Sequence, residues 1–152
     1  MVKTQKSLPQ VYFDHNKTHD FKRDISISLI AFKNYTNTSQ AGQRAANIVE
    51  GVLISKGYEI KSRLDIEVKD LNTALKIAKE DKAMYLMYGA VSEWRYKTGI
   101  DGEPAISLKC MLMDTATSEI VWSSTGSDND WGNASLGTTA QRLIMRMFSE
   151  DK

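Results

Sequence analysis

Two histidines in the run His15-Asn16-Lys17-Thr18-His19 stand four residues apart, a spacing that would put two imidazoles on one helical face for a transition metal. No cysteine joins them and the run has no helical pattern, so it reads as a solvated arm. The single cysteine, Cys110, alternates with Leu108 and Leu112. Being alone it forms no disulfide within the chain, and a thiol set between leucines has a raised pKa and little reactivity. There is no Gly-rich phosphate loop, nucleophile elbow or paired metal-ligand cluster. What remains are carboxylates and an indole in polar stretches. Asp101 and Glu103 lie in a glycine-containing connection, and Asp128 and Asp130 precede Trp131, the largest apolar side chain set among acids, amides and small residues. Such groups attract a charged or amphipathic partner, and no recognisable catalytic constellation surrounds them. The chain is therefore read as non-enzymatic, with no cofactor and no metal.

The chain has 152 residues, 41% hydrophobic and 26% charged, enough to bury one sizeable core. A net charge of +1 argues against the broad cationic surface of a nucleic-acid binder. That balance hides an asymmetry: residues 1–63 carry ten Lys/Arg against five Asp/Glu, and residues 64–152 carry ten against fourteen. No apolar run of about 20 residues could cross a bilayer as a helix. The start, Met1-Val2-Lys3-Thr4, is compatible with a cytosolic terminus or with an initiator placed where a leader was removed.

The elements that must position these side chains are legible from periodicity. Residues 1–24 show no period and read as an arm or irregular lead-in, followed by a single α+β domain over 25–152. Residues 25–32 alternate as a strand, and the polar residues 34–39 offer Thr38 and Ser39 as N-caps. Ala41, Ala45, Ile48, Val49, Val52 and Leu53 recur at helical spacing, with Gly57 as the stop. Residues 58–63 form a short strand, and Asp70 caps a second helix with the stripe Leu71, Ala74, Leu75 and Ala78. Residues 84–94 predict a central strand covered on both faces. Residues 105–113 and 119–127 predict two more, joined by a tight turn at 114–118. Leu136, Ala140, Leu143, Ile144, Met147 and Phe148 end the chain as an amphipathic helix. The order β-α-β-α-β-β-β-α implies a mixed sheet covered by helices. In it Trp122 is predicted to be core, whereas Trp94 is ambiguous.

Several stretches together resemble the PelC family, the outer-membrane lipoproteins of Pel exopolysaccharide secretion. They are Ile30-Ala31-Phe32-Lys33-Asn34-Tyr35-Thr36-Asn37-Thr38, Gln40-Ala41-Gly42-Gln43-Arg44, and Tyr88-Gly89-Ala90-Val91-Ser92-Glu93-Trp94-Arg95-Tyr96. Asp101-Gly102-Glu103-Pro104-Ala105, Val121-Trp122-Ser123 and Asp130-Trp131-Gly132 agree, so the resemblance runs over roughly 25–148. The wider group includes the curli secretion lipoprotein CsgG and the synthase activator LpoB. This chain has neither the long lipid-facing hairpins CsgG needs for a barrel nor a Pro-rich tether like that of LpoB. It departs from the family in Ala31-Phe32, where relatives commonly have Pro-Phe, and in having no lipidated N-terminal cysteine.

The resemblance implies a homo-oligomer, a dodecameric ring on the periplasmic face of the outer membrane, anchored by lipid in the native protein. It implies a cationic, partly deacetylated polysaccharide as the cargo and an outer-membrane export channel as the neighbour. In that setting Asp101 is the first choice as a polysaccharide-guiding acid, with Glu103, Asp128 and Asp130 behind it. Each of them also reads as an ordinary solvated acid. Trp131 matches an exposed aromatic in contact with outer-membrane lipid, its other reading being a cap folded onto the last helix. The competing function is a monomeric periplasmic adaptor that activates an envelope enzyme, as LpoB does.

Overall fold

Between Ser26 and Ile30 every residue is buried, which identifies the strand around which the rest is built. The computed structural model describes residues 2–9, 13–14, 21–22, 25–96, 104–129 and 135–149. Strands β1 (Val2–Gln5), β2 (Phe13–Asp14), β3 (Phe21–Lys22), β4 (Ser26–Ile30) and β5 (Lys33–Asn34) precede helix α1 (Ala41–Ser55). Strand β6 (Glu59–Arg63) and helix α2 (Leu71–Glu80) follow. Strands β7 (Tyr85–Tyr96), β8 (Pro104–Asp114) and β9 (Ile120–Asn129) then lead to helix α3 (Leu136–Met147). The main sheet runs β1-β9-β8-β7-β4-β6, with β5 also beside β7, and among the described residues β2 and β3 form a separate two-stranded sheet. Strands β6 and β7 flank β4 in parallel, and β7, β8, β9 and β1 continue as an antiparallel meander. This is the predicted α+β architecture in the predicted order, with short strands added.

Helices α1 and α3 cover one face. Ile27, Leu29, Met87, Leu108 and Leu112 from the sheet meet Ala45, Val49 and Leu53 of α1 and Leu143, Ile144 and Met147 of α3. Trp122 is 2% exposed and lies against the Phe148 ring, with centroids 4.7 Å apart. On the other face α2 packs Ala74 and Ala78 over Ile30 and Leu86, so β4 and β7 are covered on both sides.

Two local readings are corrected, and one that the sequence left open is resolved. Residues 1–24 hold a strand: β1 pairs with Ser123–Gly126 of β9, and Leu8 is buried in the main core. Its sequence, Val-Lys-Thr-Gln, carries no alternation because three of its four side chains are exposed at the sheet edge. Thr38 and Ser39 do not cap α1. Gln40 occupies the N-cap in a left-handed conformation, and the Thr38 hydroxyl donates instead to the Trp94 carbonyl. Trp94 itself is 3% exposed. A bulge at Ser92 breaks the period of β7, carrying the inward face from Val91 to Trp94. Gly57 and Asp70 act as predicted: Gly57 has φ 95° just past α1, and the Asp70 carboxylate accepts the Thr73 N–H at 2.7 Å.

Candidate functional site

The meander sets the stage for the candidate acids. In one cross-strand row Ala105 pairs with Arg95 on one side and Asn129 on the other, and Tyr96 pairs with Pro104. The carboxyl ends of β7 and β9 and the start of β8 therefore lie side by side at one end of the sheet. Asp101, Glu103, Asp130 and Trp131 lie outside the described residues, as do His15 and His19.

Asp128 is described, and it has a partner. It stands opposite Ile106 on the helix-covered face, 21% of its side chain exposed, and accepts Arg146 Nη2 of α3 at 3.0 Å. The pair ties the end of β9 to the last turn of α3 and offsets the negative charge of Asp128. A half-exposed arginine makes a weak pair, so a cationic ligand would compete with it at modest cost. Nearby, Arg95 pairs with Glu93 at 3.1 Å.

Cys110 is buried, and burial pushes its thiol far up from the ordinary range, as expected for a core residue. Among the described residues no group of three or more His, Cys, Asp or Glu side chains could hold a metal ion. No described helix is long and apolar enough to cross a membrane.

A second feature went unread in the sequence. At the carboxyl ends of β4 and β6, the connections to α1 and α2 enclose a groove of about 710 Å³ lined by Phe32, Tyr35, Gln43, Leu64, Ile66 and Glu67, among others. The helices that follow these adjacent strands lie on opposite sheet faces, which opens a crevice at that point. Its walls are held in place. Asn34 donates to the Thr38 carbonyl at 2.7 Å and accepts the Thr36 N–H at 2.9 Å, while Gln43 donates across to the Leu64 carbonyl at 2.8 Å. A Cβ at Gly42 would sit 1.8 Å from the Phe32 carbonyl oxygen, so only glycine lets the first turn of α1 rest on the end of β4. Tyr35, 67% exposed, is the one signal the sequence held: an aromatic in the polar run 34–39.

Two solved PelC dodecamers from Paraburkholderia phytofirmans superpose on the chain with a TM-score of 0.79 and 28% identity. The match covers 97% of this chain and 95% and 93% of theirs. The chain is PelC-like. The C-terminal domain of LpoB from Salmonella enterica shares the fold at a TM-score of 0.53 and 21% identity, over 70% of this chain and 84% of that one. Neither a protein-family model nor a curated protein matches the chain. The PelC similarity spans the parallel strands, the meander and all three helices, and so takes in both the strand ends that carry the candidate acids and the groove.

Proposed function

We infer that the chain is a non-enzymatic subunit of an oligomeric ring in exopolysaccharide export, placed at the periplasmic face of the outer membrane. One observation carries this: the two PelC structures that match nearly the whole chain are both dodecamers. In such a ring each acid recurs once per subunit, and Asp101, Glu103 and Asp130 would surround the opening as a field of negative charge, with Asp128 contributing less because Arg146 faces it. A cationic amino-sugar polymer would be gathered there and passed to an export channel. The hold must be loose, since screening over about 8 Å at physiological salt weakens each contact and a conduit has to release what it gathers.

Trp131 has the form suited to a membrane interface, an apolar ring with one N–H donor. One indole binds lipid weakly. Repeated around a ring and joined to acyl anchors, weak contacts act together because each holds the next close to the surface. The test is titration of the assembled protein with partly deacetylated amino-sugar oligomers at low and high salt. Binding that weakens steeply with salt supports the reading, and no binding at low salt removes the guiding role.

A further inference from the structure

We propose that the groove beside Tyr35 and Ile66 receives the outer ridge of α3, at Met145, from a neighbouring copy of the chain; this rests on the ring reading above. The observations are of three kinds. Large apolar side chains left exposed in contiguous patches mark interaction surfaces. Tyr35 is 67% and Ile66 38% exposed in the groove, Leu71 is 38% exposed beside it, and Met145 is 56% exposed on α3. An aromatic ring at the mouth of a preformed concavity is the kind of residue that anchors protein interfaces, and methionine packs well against it.

Charge agrees. Asp65 and Glu67, which follow β6, flank Ile66 in the groove, and Arg142 and Arg146 lie beside Met145 on the exposed face of α3, Arg146 shared with its pair to Asp128. The groove's two lysines, Lys33 and Lys69, belong to the wall nearer α2, with Lys33 Nζ 5.9 Å from the Tyr35 ring centroid.

Placement agrees as well. A head-to-tail ring needs two different patches on each subunit. The groove opens beyond β4 and β6 at one end of the strand order, whereas α3 packs over β8, β9 and β1 at the other. With strands about 4.8 Å apart, the two lie about 20 Å from one another across the sheet. Each subunit can thus present a groove to one neighbour and a ridge to the next.

The test uses two variants whose changed side chains are exposed, so that circular dichroism and melting temperature should stay at the wild-type values. One is Tyr35→Ala with Ile66→Lys, which spoils the groove; the other is Met145→Glu, which spoils the ridge. By light scattering the wild type is expected as a ring and each variant as a single chain of 17.1 kDa. An equimolar mixture, still holding one intact groove and one intact ridge per pair, is expected to stop at two chains. Wild-type and variants that all form rings would overturn the groove–ridge contact while leaving the ring in place. Variants that disperse but do not pair in the mixture would also overturn it. A wild type found as a single chain would remove the ring reading itself, and this contact with it.

Discussion

Asp101→Asn is expected to weaken polymer binding at low salt and flatten its salt dependence, with the mass of the assembly unchanged. A titration indistinguishable from wild type would leave Asp101 as a solvated loop acid. Trp131→Ala is expected to lower association with liposomes while leaving the melting temperature where it was; a lower melting temperature with normal liposome binding would instead mark Trp131 as a cap on α3. Trp122→Ala supplies the contrast. Trp122 is a fully buried ring stacked near Phe148, and its truncation should cost about 3–5 kcal/mol. Cys110 was legible as core because it alternates with Leu108 and Leu112, and Trp122 because it lies within a predicted strand. Trp94 was not, since the bulge at Ser92 shifts it out of step. The pairing of Asp128 with Arg146 was not legible either: the partners are 18 residues apart on different elements, and no local pattern links them.

At the scale of elements, the helices follow from apolar spacing and from two local devices, Gly57 past α1 and Asp70 before α2. What escaped was structure made by tertiary pairing: β1 is a polar edge strand, and β5 is only two residues beside β7. The N-terminus of α1 escaped for another reason. It is placed by contact of Gly42 with the β4 end rather than by a capping side chain. Gly42→Ala should accordingly destabilise the protein by about 3 kcal/mol or more in denaturant unfolding, because a backbone carbonyl cannot yield as a side chain would.

The α2 cap makes a pH-dependent prediction. The Asp70 carboxyl is held below its usual range by the Thr73 N–H, then by the Thr73 side chain. A group whose pKa falls on folding stabilises the fold above its unfolded value, about 3.9, and loses that contribution as pH drops through the folded value. The melting-temperature gap between wild type and Asp70→Ala should therefore be full at neutral pH and shrink below about pH 4. A gap independent of pH would mean that the carboxylate's charge plays no part in capping.

For the whole molecule, the excess of acids over residues 64–152 hinted at a cationic partner, but nothing in composition or periodicity speaks of assembly. Subunit contacts depend on which faces the fold leaves open, and those become visible only once the helices are seated. Two such faces, the groove at Tyr35 and the α3 ridge, lie at opposite ends of the sheet. The proposed field at the opening and the proposed seating of Trp131 on lipid would both depend on many copies standing side by side, because one acid or one indole alone binds too weakly.

The most direct measurement is the mass of the purified chain in solution by multi-angle light scattering, taken across a range of concentrations. A single species of many subunits, close to twelve times 17.1 kDa, is expected. A mass of one chain at every concentration would contradict the ring and favour a monomeric adaptor.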